Sequence, residues 1–551
     1  MSGSGLSRRE MLSTLLGVPA AALACDLSDR SGLPPGEIVF PVERRGHAVR
    51  DGVAAVPASW TSPKVVIVGG GIAGLSAAWR LVRAGFTDFA LLEIDDAPGG
   101  TAKSGANEVS AFPWGAHYIT VPMKENVALV RLLDEVGIVS GTDPHGEPVI
   151  DEAFLCREPQ ERLFYRGTWS SGLYLQAGAS ENDLAELARF RSRMDAFASA
   201  HDGRGRRAFT VPIARCSDDP AFTDLDRISM ADWLRREGFT SPRLLWTVDY
   251  ACRDDYGATP AQTSAWAGVF YFAARILAPG TDGQPVVTWP EGNGRLVRHL
   301  AASVAPHVQL ASSVFDVVPL AAAEGGPKPR VDVLALSKEG PVGYHAEQVI
   351  LATPQLVTKH IVRPYRDDRA TRPAHLDDFV YGAWLVANLT VRERPRSHGF
   401  PFAWDNVLYE SPSLGYVVAG HQRGKDHGPT VLTYYHPMTD EDSGHARRRL
   451  LSATRDEWAD AVLTDLGSAH PDLTGLTTRL DVMRWGHAMI RPAPGFVWGA
   501  SRRRASLPFR NVHFAHSDLS GVALFEEAFD QGLRAAEEVL TARNIPFESM
   551  R

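Results

Sequence analysis

The spacing of apolar and polar residues along the chain divides it into strand-like and helix-like segments. Two short apolar runs, Lys64–Val68 and Phe89–Leu92, flank a glycine-rich turn and a helix-like segment, as expected for buried parallel strands joined by a crossover helix. Further strands are predicted at 308–318, 331–337, 348–352, 381–391, 431–435 and 512–515, and helices at 183–200, 230–237, 446–466 and 525–541. This alternation predicts an α/β fold.

The glycine-rich turn after the first strand has the spacing of a phosphate-binding loop. Gly69, Gly71 and Gly74 form the pattern G-x-G-x-x-G, and Ala73 lies within it. The first glycine permits a tight turn, the second lets the backbone approach a diphosphate, and the third allows the helix to pack closely on the strand. The start of that helix then offers unpaired N–H groups to the phosphates. The turn therefore predicts a dinucleotide site.

An acidic residue at the end of the second strand supports this interpretation. Glu93 lies 19 residues after Gly74, where a carboxylate binds the ribose of a dinucleotide. This pattern does not separate NAD from FAD. Gly292 and Gly294 follow Pro290 rather than a strand, so they are not a second copy of the turn. A single site favours one tightly held dinucleotide.

Composition and charge narrow the functional classes. The chain has 551 residues, of which 44% are hydrophobic and 22% charged, which is typical of globular proteins and long enough for two or more domains. The net charge is −8 and there is no basic run, so we expect no nucleic-acid partner. The 4 cysteines fit no zinc spacing and are too few for a disulfide framework. The histidines show no metal-ligand spacing, so we predict no metal.

The N-terminus, residues 1–25, resembles an export signal. Arg8 and Arg9 precede a 14-residue apolar run, Met11–Ala24, which is short for a bilayer span and typical of a secretory signal. The paired arginines resemble a twin-arginine (Tat) signal. A lipid tether through Cys25, simple cleavage and an uncleaved anchor all stay open. We expect a periplasmic protein, or one anchored on the outer side of the cytoplasmic membrane.

Motifs after the acidic residue resemble those of a known family. The pair Gly99-Gly100 and, further on, Gly115 and Ala116 are similar to segments of the flavin-dependent amine oxidase superfamily. That superfamily includes monoamine and polyamine oxidases, L-amino-acid oxidases, protoporphyrinogen oxidase and phytoene desaturase-like enzymes. The resemblance implies that the cofactor is FAD and that Gly100, Gly115 and Ala116 line it.

Later segments resemble the same family in the same order, so that the resemblance covers about 60–545. Residues 289–294 resemble its Pro-x-Gly-Gly segment, 308–314 its adenine-binding strand, and 349–354 its strand ending in Ala-Thr-Pro. Residues 512–518 and 524–528 resemble its C-terminal flavin motif. The cofactor contacts implied are Val314 at the adenine, Thr353 at its strand end, Ser517 and Asp518 near the ribityl and phosphate groups, and the Phe525 N–H at the flavin N1–C2=O edge, where a helix dipole would stabilise reduced flavin.

The order of these motifs implies the domain organisation. We expect a Rossmann-like FAD-binding domain assembled from discontinuous segments, with an interleaved α+β substrate domain and a helical insert. A linker or packed arm is expected at 26–60. The FAD-binding domain is predicted at 61–125, 286–365 and 486–545, and the substrate domain at 126–285, mainly helical, and 366–485.

The sequence departs from the family at positions that would define the substrate. The arginine that follows the Gly-Gly pair in the family is Thr101 here, and Val386 occupies the place of a lysine that bonds through water to flavin N5. The two aromatic residues that flank the flavin in amine oxidases align with Leu524 and Ala488. Hydride removal needs no acid or base if the amine loses its proton beforehand, so these changes do not exclude oxidation.

Three polar residues near the expected flavin are candidates for catalysis. His117 follows the Gly-Ala pair and could touch flavin or substrate, or be a core histidine bonded to backbone. Arg491 could bind a substrate carboxylate through a bidentate pair or form a structural ion pair. His487 lies near the place where some relatives attach the flavin covalently. The aromatic run Phe270–Phe272 could wall a substrate cavity or belong to the core.

The sequence supports three functional hypotheses. The first is an exported FAD-dependent oxidoreductase that moves a hydride from a C–N or C–C bond of a small-molecule substrate to flavin N5 and returns electrons to oxygen or another acceptor. The second is a desaturase- or isomerase-like flavoenzyme that acts on an apolar substrate. The third is a non-catalytic flavin-bearing component of an envelope complex. Assembly as a homo-oligomer or with an envelope partner stays open.

Overall fold

The computed structural model describes residues 32–39, 43–278, 280, 283, 285–321, 329–439 and 442–551, so the predicted signal at 1–25 lies outside the described residues. The α-helices are Glu43–Asp51, Ile72–Arg83, Val127–Glu135, Glu181–Ser199, Pro220–Thr223, Met230–Arg236, Pro242–Tyr256, Ala265–Ala273, Gly294–Val304, Gln355–Ile361, Arg363–Asp367, Ser443–Ser452, Arg455–Gly467, Leu473–Leu476, Ala500–Ala505 and Phe525–Ala542. The strands form three main sheets and three small two-stranded pairs.

A five-stranded parallel sheet forms the centre of one half of the molecule. Helices pack on one face of this sheet and a second sheet covers the other, so its strands are apolar and buried. The α/β fold predicted from the sequence is confirmed. The strand order is Val308–Gln309, Phe89–Leu92, Val65–Val68, Gln348–Leu351 and Val512–Phe514, with every neighbouring pair parallel.

The second sheet has four strands and contains part of a segment that we predicted as one strand. The predicted strand 308–318 is in fact two strands in two different sheets, because the chain turns at Ala311, where φ is 52°. This turn sends the chain out of the parallel sheet. The strand order of the second sheet is Ser59–Thr61, Gly340–Ala346, Arg330–Ser337 and Ser313–Leu320, with the first pair parallel and the others antiparallel.

A seven-stranded mixed sheet forms the other half of the molecule. Its strand Tyr381–Val391 is completely buried because helices cover one face and residues of the first half, among them Phe112 and Trp114, pack on the other. This second face is where a substrate domain would meet the nucleotide domain. The strand order is Thr168–Ser171, Glu161–Tyr165, Asp405–Leu408, Tyr416–Val418, Thr430–Pro437, Tyr381–Val391 and Thr477–Ile490.

The stretch 126–285, predicted to be mainly helical, also contributes strands. Val139–Thr142 pairs with Pro148–Ile150, and Glu161–Tyr165 pairs with Thr168–Ser171. These strands are short and partly exposed, which left too little alternation for the sequence pattern to show them. The remaining small pairs join Val286–Thr288 to Tyr118–Thr120 and Ser104–Ala106 to Ala111–Pro113.

The predicted helix 446–466 is interrupted. It forms two helices, Ser443–Ser452 and Arg455–Gly467. The reason is a capping box, in which the Thr454 side chain accepts the Glu457 N–H and the Glu457 carboxylate accepts the Thr454 N–H. This exchange satisfies the first donors of the second helix and favours a break before it.

The segment before residue 60 packs on the body of the protein where it is described. Ile38 forms a bridge with Val482, Val49 joins the core beneath the second sheet, and Ser59–Thr61 adds an edge strand to that sheet. Within the described part of the chain, no helix is long and apolar enough to cross a bilayer. Cys216 and Cys252 are buried free thiols.

Close packing of two helices joins the ends of the nucleotide domain. The helix Phe525–Ala542 lies against Ile72–Arg83 at Gly532, where a Cβ would come within 2.0 Å of Ser76 Oγ and 2.2 Å of the Ala73 carbonyl oxygen. Any side chain at this position would therefore push the two helices apart.

We expect Gly532→Ala to lower the stability of the protein by about 2 kcal/mol, because overpacking outweighs the gain in helix propensity. The matched control is Gly467→Ala, in the helix Arg455–Gly467, where a Cβ would meet no atom within 4 Å. Thermal unfolding of both variants, without added flavin, tests this. Equal midpoints for the two variants would contradict the proposed packing.

Candidate active site

The glycine-rich turn before the helix Ile72–Arg83 leaves space for a ligand at its centre. Gly69 has a φ of 103°, and a Cβ on Gly74 would lie 1.8 Å from the Gly69 carbonyl oxygen, so both positions require glycine. A Cβ on Gly71 would instead meet no atom closer than 3.9 Å. No side chain caps the helix, whose first turn contains Ala73. The turn presents free backbone donors to open space, as a diphosphate site requires.

Glu93 lies beside this turn. Its carboxylate accepts hydrogen bonds from the Gly70 N–H at 2.6 Å and the Asp95 N–H at 2.9 Å. Burial raises the pKa of Glu93, while the Lys103 charge and the Gly70 N–H oppose that rise. Lys103 forms a buried ion pair with Asp95. Glu93 is thus held at the edge of the turn where a ribose carboxylate belongs.

The predicted Gly-Gly pair lies against the glycine-rich turn. The Gly99 N–H donates to the Gly70 carbonyl at 2.8 Å. Gly100 has a φ of 55°, and a Cβ on it would lie 3.4 Å from the Gly71 Cα. The absence of side chains on both segments lets the two backbones approach each other around the open space.

The predicted Gly-Ala pair, Gly115 and Ala116, packs against Thr101, the residue that follows the Gly-Gly pair. The Ala116 N–H donates to the Thr101 carbonyl at 2.9 Å, and a Cβ on Gly115 would lie 2.2 Å from that carbonyl oxygen. The Asn293 N–H donates to the Ala116 carbonyl at 3.2 Å. The segment 289–294, singled out by its glycines, is therefore packed on the Gly-Ala pair.

Val314 and Thr353 lie on two further sides of the turn. The Ser312 N–H donates to the Glu93 carbonyl at 2.8 Å, which brings the buried Val314 close to the ribose end. Thr353 Cγ2 lies 3.4 Å from the position of a Cβ on Gly69. The Thr353 hydroxyl is buried and has no hydrogen-bond partner among the described residues, so it fits a polar group supplied by a ligand or water.

Asp518 connects the C-terminal segment to this region. Its carboxylate accepts the Gln355 N–H at 2.8 Å and the Tyr381 hydroxyl at 2.5 Å, and lies 2.8 Å from His516 Nδ1. Burial acts to raise the pKa of Asp518, but these three contacts outweigh it and lower the pKa. Asp518 is therefore ionised at neutral pH, next to the buried Ser517.

The last helix, Phe525–Ala542, begins without a side-chain cap. Leu524 precedes it in an extended conformation and offers no hydrogen-bonding side chain. The N-cap position of this 18-residue helix therefore supplies no side-chain acceptor for its first N–H groups. They place partial positive charge at the helix start, which suits the electron-rich edge of a reduced flavin.

His117 belongs to an aromatic layer beside the Gly-Ala pair. Its ring stacks on Tyr435 with centroids 4.7 Å apart and lies 5.4 Å from Trp404. Its Nδ1 lies 3.3 Å from the Gly115 carbonyl oxygen, so Nδ1 carries the proton and Nε2 can accept one. Burial lowers the pKa of His117 to about 4, so the ring is neutral at physiological pH.

His487 and Arg491 lie at the end of the long strand Thr477–Ile490. His487 is exposed and contacts Arg447, and partial desolvation together with the Arg447 charge lowers its pKa. Arg491 is 5% exposed and donates to a backbone carbonyl at 3.3 Å. No carboxylate in the described part of the chain pairs with Arg491, and its Nε has no partner there. The structural ion pair considered for Arg491 is therefore wrong for the described residues.

Three carboxylates from separate elements converge behind the aromatic layer. Glu161 and Asp405 are directly paired positions of neighbouring parallel strands, so their side chains lie on the same face of the sheet. Asp254, on the helix Pro242–Tyr256, raises the pKa of Asp405 together with Glu161, after burial. We call Glu161, Asp254 and Asp405 the acidic cluster.

The acidic cluster is enclosed and poorly neutralised. Burial is the first cause that raises the pKa of each member, although each side chain keeps some accessible surface. This combination is typical of side chains that line an internal cavity. No member forms an ion pair with a described residue, since the nearby Arg275 is paired with Asp255. The Tyr250 hydroxyl donates a hydrogen bond of 3.1 Å to the Asp405 carboxylate, which compensates in part for the burial of that charge.

Comparison with known proteins defines the family. The profile of the flavin containing amine oxidoreductases matches residues 72–540. The chain belongs to this family. Because the family binds flavin and the glycine-rich turn is a dinucleotide site, the cofactor is FAD and the protein is an FAD-dependent oxidoreductase of the amine oxidase type. No match was found among curated protein sequences.

Solved structures share the fold over nearly the whole chain. A putrescine oxidase bound to putrescine is 17% identical, covers 88% of this chain and 100% of its own, and has a TM-score of 0.63. Cyclohexylamine oxidase from Brevibacterium oxydans IH-35A is 16% identical, with coverages of 88% and 100% and a TM-score of 0.60. A fatty acid isomerase from P. acnes is 14% identical, with coverages of 87% and 98% and a TM-score of 0.60.

The described residues fit FAD. The open space at Gly71, the unpaired hydroxyl of Thr353 and the uncapped start of the helix at Phe525 are three separate features that a bound dinucleotide would satisfy. The acidic Glu93 and Asp518 lie at two sides of the same region. The sequence-derived cofactor residues are thus brought together, and their individual contacts with FAD stay predictions.

Several residues of this region were missed by sequence analysis. Tyr435 and Trp404 complete the aromatic layer with His117, and Tyr381 holds Asp518. Tyr381 and Tyr435 stood at the ends of predicted strands, which is equally typical of a core position. Trp404 lay in no predicted element, so no sequence signal singled it out. Phe270 is buried in the core, whereas Tyr271 is half-buried near Asp254.

Gly71→Asp tests the diphosphate site directly. The substitution places a side chain and a negative charge in the open space but meets no protein atom at Cβ, so we expect a folded protein that purifies without flavin. The flavin absorbance per protein and the far-ultraviolet circular dichroism measure the two effects. A yellow variant at full occupancy would show that the turn does not hold the diphosphate.

Proposed function

We propose that the protein oxidises the C–N bond of an amine that carries a second cationic group. The observation that carries this proposal is the acidic cluster, Glu161, Asp254 and Asp405, enclosed in the substrate half without cationic partners. Buried carboxylates are unfavourable unless paired with charge or hydrogen bonds. A cationic ligand would supply the missing charge.

The position of the acidic cluster relative to the flavin site supports this proposal. The Tyr435 hydroxyl donates to the Gly115 carbonyl at 2.9 Å, and Gly115 belongs to the predicted flavin contacts. The pKa of Tyr435 is raised by burial and then by Asp405 and Asp254, so the same ring adjoins the acidic cluster. One aromatic layer therefore separates the flavin side from the carboxylates.

The chemistry of amine oxidation favours this separation. The nitrogen next to the reacting carbon must be neutral when hydride leaves, because its lone pair stabilises the developing cation. A carboxylate at that nitrogen would instead hold it as an ammonium group. Carboxylates placed behind the aromatic layer can bind a distant ammonium group without this penalty. The arrangement therefore favours a diamine or polyamine over a simple amine.

The residues near the flavin have positioning roles in this proposal. Bound FAD would accept a hydride at N5 and pass the electrons to oxygen or another acceptor. His117 is neutral, so it adds no positive charge beside the reacting amine, and its Nε2 can accept a hydrogen bond from an N–H group. Tyr435 and Trp404 exclude water and offer aromatic faces to a cationic chain.

A second candidate, desaturation or isomerisation of an apolar substrate, is favoured by the apolar residues Val386, Leu524 and Ala488. The fatty acid isomerase and cyclohexylamine oxidase have the same TM-score of 0.60, so the fold does not separate the two chemistries. The acidic cluster favours amine oxidation, because an apolar chain would leave its carboxylates without partners.

Anaerobic mixing of the purified yellow protein with 1,4-diaminobutane, n-butylamine and a polyene tests the substrate class. We expect bleaching of the flavin by the diamine at the lowest concentration. The Asp405→Asn variant should raise KM for the diamine by about tenfold or more, as expected for loss of a charge-assisted contact, and leave kcat/KM for butylamine unchanged.

The control for this experiment is Asp465→Asn, which changes a carboxylate on the outer helical layer, bonded to Tyr434 at 2.9 Å. This variant should keep the preference for the diamine. Bleaching by the polyene alone would favour the second candidate. If Asp405→Asn lost activity equally with both amines, the acidic cluster would not bind the second cationic group of the substrate.

We also propose that the protein is exported by a Tat-type route and acts in the periplasm or on the outer side of the cytoplasmic membrane. The support is Arg8 and Arg9 before the apolar run. Replacing both arginines with lysine should leave flavin-loaded protein in the cytoplasm when cell fractions are compared. Unchanged distribution of the variant would contradict this route.

A further inference from the structure

We propose that Lys103 is a positioning residue for FAD: its ion pair with Asp95 holds the Glu93 carboxylate in place for the ribose of the adenosine half. This role concerns cofactor binding and is independent of the substrate. Lys103 is buried and takes no part in the proposed reaction.

The ion pair closes a loop around the glycine-rich turn. Lys103 follows the Gly-Gly pair, and its side chain returns to Asp95, two residues after Glu93. A Cβ on Gly99 would lie 3.2 Å from Lys103 Cγ, so the lysine stem runs against that glycine. The Gly99 N–H bonds to the Gly70 carbonyl at 2.8 Å. The pair therefore fixes the segment 95–103 onto the turn that would hold the diphosphate.

The same pair orients the ribose carboxylate. The Asp95 N–H donates to one Glu93 oxygen at 2.9 Å, while the Gly70 N–H donates to the other at 2.6 Å. Moving Asp95 would therefore rotate or release one side of the Glu93 carboxylate. In dinucleotide sites of this type, the corresponding carboxylate binds the ribose hydroxyl.

Burial of the pair points to a role beyond stability. The side chains of Lys103 and Asp95 are 7% and 5% exposed. Lysine is rarely buried to this extent, and a buried ion pair contributes little net stability compared with apolar side chains of the same size. A positive charge here has a second neighbour, Glu93, whose ionised form it favours. An ionised Glu93 is the better acceptor for ribose hydroxyls.

The other charges around this segment do not replace Lys103. Arg45 donates to the Ile94 carbonyl at 2.7 Å and pairs with Asp96, and Lys338 also pairs with Asp96. Asp96 is 57% exposed, so these pairs lie at the surface. Among the described residues, Lys103 is the cation whose charge favours the ionised form of the buried Glu93.

A ligand analogue separates positioning of the ribose carboxylate from a general structural role. FAD and its analogue with 2′-deoxyadenosine are bound to the apoprotein, and the ratio of the two dissociation constants is measured by flavin fluorescence. In the unchanged protein the analogue should bind roughly 10- to 100-fold more weakly, since a hydrogen bond to a charged group is lost. In Lys103→Met this ratio should fall to about threefold or less, with weaker binding of FAD itself.

Two further variants keep the test decisive. Lys103→Arg retains the charge and should restore most of the discrimination against the deoxy analogue, which guards against a folding defect in Lys103→Met. Lys64→Met removes a surface lysine paired with Glu347 and should leave the ratio unchanged. If Lys103→Met weakens both ligands equally, or binds both as the unchanged protein does, Lys103 does not position Glu93.

Discussion

The predicted FAD site depends on backbone N–H groups at two helix starts that no N-cap side chain covers. At Gly71 the open space faces a helix start, and at Gly74 even one carbon atom would collide with the Gly69 carbonyl. The helix at Phe525 repeats this principle at the other end of the domain, where Leu524 leaves the first donors uncapped. Side-chain acids such as Glu93 and Asp518 then stabilise the segments between these two helix starts.

The nucleotide domain was largely predictable because its chemistry restricts residue type at fixed spacing. Gly69 and Gly74 occupy positions of the turn that require glycine, and Gly71 leaves space for the diphosphate. Glu93 follows the next strand at the spacing of a ribose-binding carboxylate. Errors arose where local hydrogen bonds decided the boundary, as at Ala311, where the chain changes sheets, and at Thr454, where a capping box divides a predicted helix.

The substrate half was less predictable because its site is assembled from residues with no common motif. Glu161 and Asp405 become neighbours only through strand pairing, and Asp254 approaches them from a helix. In the sequence each is an ordinary acidic residue that would be expected on the surface. Their shared enclosure follows from tertiary contacts, and so does the aromatic layer in which Tyr435 joins His117 to the flavin side.

The parallel sheet is assembled from segments that are far apart in the sequence, so its cofactor site cannot form before the last of these segments has been synthesised. Its last strand, Val512–Phe514, joins a strand ending at Leu351, and the final helix lies against the first helix of the domain. A nascent chain therefore lacks one edge of the predicted cradle until the strand Val512–Phe514 and the helix Phe525–Ala542 have been synthesised. We expect FAD to be held only once these two elements have joined the sheet and the first helix.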